Sequence, residues 1–338
     1  MTIAAGRIVS GRTLARARAG RTPFRRSQTL RPRQTRSISF RAAALACAVA
    51  LCAAGAGGAR AKGARELEKT VNRLVAESGA ETVAVAFKDL QTGRGLMLNE
   101  RVSFHAASTM KLPVMFEVYR EAREGALSLD ERLPVKNEFK SIADGSAFSV
   151  SPEDDSEQTL YRKAGGSETV RELVRLMITE SSNLATNILV ERVSPARVMA
   201  LLRRMGARDM KVLRGVEDGK AFERGLNNTT TARDLLVLLR ALAEGRAVSP
   251  GASREMVEVL AAQKFNEGIP AGLPAGARVA HKTGSITKIE HDAGVVYPPN
   301  RKPYVLVVLV RGIADEARAH KLIADISRAV YEDALASK

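Results

Sequence analysis

Tryptophan is absent from these 338 residues, cysteine occurs twice and histidine four times. Both cysteines, Cys47 and Cys52, fall in one alanine-rich run near the start. The rest of the chain therefore has no thiol to offer as a disulfide partner, nucleophile or soft metal ligand. His105, His281, His291 and His320 follow neither the H-x-H nor the H-E-x-x-H spacing, which argues against a zinc hydrolase. Neither a metal nor a cofactor is expected. Lysine, aspartate and glutamate are all missing from residues 1–61, which nevertheless hold twelve arginines. That segment accounts for +12 of the formal net charge of +16, leaving +4 for residues 62–338. The basic balance belongs to a leader, and the body lacks the basic face that a nucleic-acid partner requires.

The leader has the order of an export signal. Its arginine-rich stretch ends at Arg41, and the apolar run from Ala42 to Ala54 follows directly. Such a run is too short to span a bilayer comfortably but suits a signal-peptide core, and Ala59-Arg60-Ala61 is a cleavage site of the A-x-A type. An uncleaved anchor and a transit peptide are the rival readings; the alanine-rich core favours export. Arg25-Arg26 leaves the choice between the general and the twin-arginine route open. The expectation is a signal over 1–61 and a mature protein that begins near Lys62. It would be periplasmic or secreted, monomeric, and not inserted stably in a membrane.

Within the body, Leu67, Val71, Leu74 and Val75 recur at helical spacing, and strand-like runs follow at Thr82–Leu90 and Gly95–Asn99. The far end mirrors this order. Ala293–Tyr297 and Tyr304–Val310 predict a hairpin around Pro298-Pro299-Asn300, and Asp315–Leu335 an amphipathic helix. The middle is helical: Thr169-Val170-Arg171-Glu172 is a capping box, Ser194-Pro195 opens one helix that Gly206 closes, and Thr231–Ala243 is another. These patterns predict an α+β fold. An α/β sandwich lobe with an antiparallel sheet, residues 62–104 and 268–338, would receive an all-α lobe, residues 105–267, as an insertion. Two irregular segments interrupt the helices, Asn137–Gly166 and Arg214–Asn228. The acidic Glu153-Asp154-Asp155 in the first reads as a solvated loop without chemistry.

Three motifs carry the chemistry: Ser108-Thr109-Met110-Lys111, Ser181-Ser182-Asn183 and Lys282-Thr283-Gly284-Ser285. S-x-x-K occurs a second time, at Ser285 and Lys288, and geometry separates the two. On a helix, residues three apart share a face, whereas on a strand they point to opposite faces. Ser108 precedes the helix-like Leu112–Ala122, so Ser108 is the candidate nucleophile and Lys111 its base; Pro113 predicts a helical turn that bends into the longer helix. Serine needs such a base, and a lysine serves when burial or a neighbouring cation depresses its pKa. Ser181 supplies a hydroxyl to pass a proton to a leaving nitrogen. Asn183 offers donor and acceptor together, although Ser181-Ser182-Asn183 is by itself also a good helix cap before Leu184–Val193. Lys282 and the hydroxyls of Thr283 and Ser285 suit a carboxylate, while Gly284 lets a substrate lie against the strand.

In this order the three motifs resemble those of the class A serine β-lactamases, within the superfamily of penicillin-recognising serine hydrolases. The resemblance spans nearly all of residues 65–338. It implies an acyl-enzyme on Ser108, an oxyanion hole from the amides of Ser108 and Ser285, and a loop glutamate that activates the deacylating water. The substrate would be a β-lactam or the D-Ala-D-Ala end of a peptidoglycan stem. Two departures stand out. Ser182 occupies a position where the family usually has aspartate, and the loop glutamate that matches by letter lies only five residues before Asn228, where the family leaves a longer loop. Glu223-Arg224-Gly225-Leu226-Asn227 matches the family's E-x-x-L-N by letter, yet Glu217 is better spaced between Gly206 and Asn228. With Glu217 in that role, the family's asparagine four residues on becomes Ala221. The rival functions are a penicillin-binding peptidase or esterase of the same fold, and a non-catalytic exported cell-wall-binding or sensor protein.

Overall fold

Strict alternation of buried side chains decides the architecture. In the strand Thr82–Asp89, Val83, Val85 and Phe87 enter one hydrophobic core while Ala84 and Ala86 enter another. The strand Tyr304–Arg311 does the same, with Leu306, Val308 and Val310 on the first side and Val305, Val307 and Leu309 on the second. A period of two with both faces apolar is the pattern of a sheet covered on both sides. The computed structural model, which describes residue 63 and residues 65–336, has this sheet at its centre. The arginine-rich segment, both cysteines and the expected cleavage site at Ala61 lie outside the described residues.

Five antiparallel strands make the sheet, in the order Gly95–Leu98, Thr82–Asp89, Tyr304–Arg311, Ile289–Tyr297 and Arg278–Ile286. The first and last strand pairs of the chain thus share one sheet, as the mirrored sequence pattern predicts. The helices are α1 (residues 65–77), α2 (Lys111–Glu124), α3 (Val170–Thr179), α4 (Asn183–Val193) and α5 (Pro195–Met205). They continue with α6 (Gly219–Glu223), α7 (Ala232–Ala243), α8 (Pro250–Ala261) and α9 (Glu316–Ala336). Helices α1 and α9 cover one face through Leu67, Val71, Leu322, Ile323 and Ile326. The remaining long helices build the larger core on the other face, where Met110, Met115, Phe116, Leu173, Met177 and Leu239 are buried. Without tryptophan, volume comes from many medium-sized side chains, each worth roughly 1.5–3 kcal/mol on full burial.

Local signals hold. Thr169 Oγ1 accepts from the Glu172 amide at 3.2 Å and starts α3, and Ser194 caps α5 with Pro195 in its first turn. Gly206 closes α5 at φ +88°, a left-handed conformation that favours glycine. Among the described residues, no helix is long and apolar enough to cross a membrane.

Candidate active site

The turn that carries Ser108 is anchored from below. Phe104–His105 pairs with Thr229–Thr230, the Ala106 amide donates to the Asn228 carbonyl at 2.9 Å, and Thr109 Oγ1 donates to the Ala106 carbonyl at 2.6 Å. Ala107 then takes φ +44°, an uncommon conformation for a residue with a side chain. A 3₁₀ turn, Ala107–Met110, runs straight into α2. The helical turn is there as predicted, and Pro113 sits in the first turn of α2, where its missing N–H costs no intrahelical bond. Gly284 of the edge strand packs against this turn: a Cβ there would lie 3.1 Å from the Ser108 nitrogen.

Lys111 is fully buried, and its Nζ donates to the Ser181 carbonyl (2.6 Å), Ser181 Oγ (3.1 Å) and Asn183 Oδ1 (2.9 Å). Burial pulls its pKa from 10.5 down to about 7, against the opposing pull of the Asp155 and Glu217 charges. Lys282, from the edge strand, reaches the same hydroxyl: its Nζ donates to Ser181 Oγ at 3.1 Å and to the Thr283 carbonyl at 3.1 Å. Burial and the Lys111 charge push the Lys282 pKa well below its ordinary value, with Asp292 opposing. Two buried amines therefore converge on one serine oxygen. Ser181 itself takes φ +57°, immediately before the Ser182 cap of α4, whose Oγ accepts from the Ala185 amide. The middle motif is thus a helix cap and a meeting point of polar side chains at once.

Glu217 faces this cluster and Glu223 does not. Glu217 Oε1 accepts from Asn183 Nδ2 at 2.6 Å and Oε2 from the Ser151 amide at 2.8 Å, with the Glu217 backbone at φ +61°. Its loop is clamped by Asn187, which exchanges two hydrogen bonds with the Val216 backbone at 2.7 and 3.0 Å. Gly215 is required by that approach, because a Cβ there would lie 2.1 Å from Asn187 Oδ1. The loop's neck is closed by the Asn228 side chain, which accepts from the Leu213 and Arg214 amides and donates to the Arg214 carbonyl. Glu223 is exposed at the end of α6, and Ala221 is buried on it.

Two cavities meet at Ser108, Asn183 and Ser285. One, of about 310 Å³, is also lined by Ser181, Thr283 and Gly284; the other, of about 550 Å³, by Glu217, Phe222 and Ile286. The Ser285 hydroxyl, expected to suit a substrate carboxylate, here donates to the Glu290 carboxylate, to Oε1 at 2.6 Å, with His320 Nε2 3.2 Å from the other oxygen. The second S-x-x-K does not make a site: Ser285 is the last but one residue of a strand, and Lys288 is exposed at φ +59° in the turn after it. Among the described residues, no cluster of three or more His, Cys, Asp or Glu could hold a metal ion.

The acidic segment is where the sequence reading needs correcting. Asp155 is not solvated: it is 3% exposed and accepts from the Asn183 and Leu184 amides at 2.9 and 3.0 Å. Nothing in Glu153-Asp154-Asp155 singles it out by sequence. Asn187 was more accessible to reasoning, since it lies four residues after Asn183 on the same face of α4.

Residues 66–334 match the family model described as the beta-lactamase enzyme family. The chain belongs to that family. A β-lactamase of Streptomyces albus G is 30% identical over 272 residues, covering 79% of this chain and 84% of the relative. A β-lactamase structure from Sphaerobacter thermophilus has a TM-score of 0.69 at 27% identity, covering 80% and 97% of the two chains. A mutant of PBP-A, solved as an acyl-enzyme complex with penicillin G, has a TM-score of 0.69 at 29% identity and covers 79% and 96%.

Proposed function

We propose that the chain is a serine hydrolase of class A type that opens β-lactam rings through an acyl-enzyme on Ser108. Neutral Lys111 takes the Ser108 proton, Ser108 Oγ bonds to the lactam carbonyl carbon, and the ring C–N bond breaks. The leaving nitrogen takes its proton from Ser181 Oγ, which Lys111, 3.1 Å away, replenishes. Amides of Ser108 and Ser285 stabilise the oxyanion. Lys282, with Thr283, draws in the substrate carboxylate, and Gly284 lets the strand close against the Ser108 turn. A water deprotonated by Glu217 then attacks the ester carbonyl carbon, the C–Oγ bond breaks, and the proton taken up by Glu217 returns to Ser108 Oγ. In this reading the cleft lies between the α/β lobe, 62–104 and 268–338, and the helical lobe, 105–267, of an exported monomer.

The observation that carries the proposal is the sharing of Asn183. One amide side chain binds both the amine that activates the nucleophile and the carboxylate that activates water. A purified chain without the leader should hydrolyse a chromogenic cephalosporin, with mass spectrometry reporting the transient adduct on Ser108.

Ala221 supports a second reading, a penicillin-binding peptidase. The family's second water-holding group is missing, and both Glu217 oxygens already accept hydrogen bonds. An adduct that persists for hours in the unmutated chain selects this reading over the first.

A further inference from the structure

Among the described residues, Asp155 is the fully buried carboxylate that touches the second motif without belonging to it. Its Oδ2 accepts from the Asn183 amide (2.9 Å), the Leu184 amide (3.0 Å), the Tyr161 hydroxyl (2.8 Å) and the Ser182 hydroxyl (3.4 Å). Its Oδ1 accepts from the Glu157 amide at 3.1 Å. The two α4 amides are among the first N–H groups of a helix, which lack intrahelical acceptors and favour an anion. The preceding Ser181 is in a left-handed conformation, so this turn needs an external partner to keep its shape. Asn183 then carries the geometry onward through Oδ1 to Lys111 and through Nδ2 to Glu217.

We propose that Asp155 is a positioning residue for the reaction: from the 137–166 segment it supplies the carboxylate that fixes the start of α4, and through Asn183 it sets the relative placement of Lys111 and Glu217. The inference rests on the serine-hydrolase reading above. It also assigns Asp155 an electrostatic part. The charged groups acting on Lys111 are Asp155 and Glu217, which favour its ammonium form against burial; Lys282, which shares Ser181 Oγ with it, is itself pushed down by the Lys111 charge. Removing the Asp155 charge therefore leaves Lys111 neutral to lower pH.

The test compares penicillin acylation rates across pH for the chain without its leader, Asp155→Asn, Ser182→Asp and the double variant. Asp155→Asn should slow acylation about 10²-fold, the scale of a misplaced catalytic group. Its acid limb should move down by about half a pH unit or more. Ser182 is the N-cap of α4, so an aspartate there can accept from the same helix end. Alone, Ser182→Asp sets two carboxylates face to face and should impair the enzyme; combined with Asp155→Asn it should restore both rate and limb. This sign reversal also serves if Asp155→Asn folds poorly, because the double variant can then be assayed. An Asp155→Asn enzyme with unchanged rate and limb overturns the inference, as does a double variant no better than Asp155→Asn. If the unmutated chain takes no adduct at all, the proposed function itself fails; if it acylates normally while those arms fail, only the role of Asp155 falls.

Discussion

Asn183 Nδ2 donates to Glu217 Oε1 at 2.6 Å, while Asn183 Oδ1 accepts from Lys111 at 2.9 Å. An amide carries its donor and its acceptor on separate atoms, so one side chain can reach both groups at once. Aspartate would lack the donor and repel Glu217, so Asn183→Asp should lose far more activity than the one-atom change suggests. We expect a fall of about 10² or more in cephalosporin turnover, with the melting temperature measured alongside to separate chemistry from folding.

Ser108→Ala removes only a hydroxyl from the turn that Ala106, Thr109 and Gly284 anchor. The variant should fold normally and take no penicillin adduct by mass spectrometry. An adduct that survives the substitution places the nucleophile elsewhere, with Ser285 the first residue to test.

Glu217→Gln keeps the size of the side chain and removes the base. The acyl-enzyme should accumulate and turnover should drop ~10²–10⁴-fold, the usual worth of a general base. Glu223→Gln, at an exposed position, should change little. The opposite pattern in paired burst and steady-state measurements would falsify the assignment of the loop.

Acylation should rise as pH passes through about 7, because Lys111 acts as a base only when neutral and its folded pKa lies there. The sign for stability follows from the same shift. The unfolded side chain titrates near 10.5, so burial opposes folding in full below about pH 7. That penalty fades as pH rises from about 7 toward 10.5, where the lysine is neutral in both states. Single-turnover acylation between about pH 5 and 9 measures the first effect.

Gly215→Ala inserts a Cβ that would lie 2.1 Å from Asn187 Oδ1. Either Asn187 or the Glu217 loop must move, and overpacking of this kind costs roughly 1–3 kcal/mol. Deacylation should suffer more than acylation, since the strain falls on the Glu217 side. The ratio of the two rates is the readout.

The strands, caps and long helices were legible because each rests on local rules: alternation in Tyr304–Arg311, a capping box at Thr169, a closing glycine at Gly206. The three motifs were legible for a similar reason, since Ser108 and Lys111 lie one helical turn apart. What sequence could not show is which distant segments lean on the site. Asp155 and Ser151 reach it from an irregular loop whose letters resemble any solvated acidic stretch. The Ser285 hydroxyl likewise has a partner that its motif does not announce. Its strand position was right, but its partner Glu290 is fixed only by the register that sets Ser285 opposite Glu290.

The central strand pair has a further consequence. Thr82 and Arg311 lie side by side in the sheet although 229 residues separate them. Contacts of such long range form slowly, because the intervening chain must be gathered before they give any return. The strand that bears Lys282 docks onto the sheet only through Ile289–Tyr297, which in turn needs Tyr304–Arg311. A nascent chain shorter than about 311 residues consequently has a serine and its lysine but no opposite wall. The two walls that carry Ser108 and Lys282 therefore come together only once the last strands have been made.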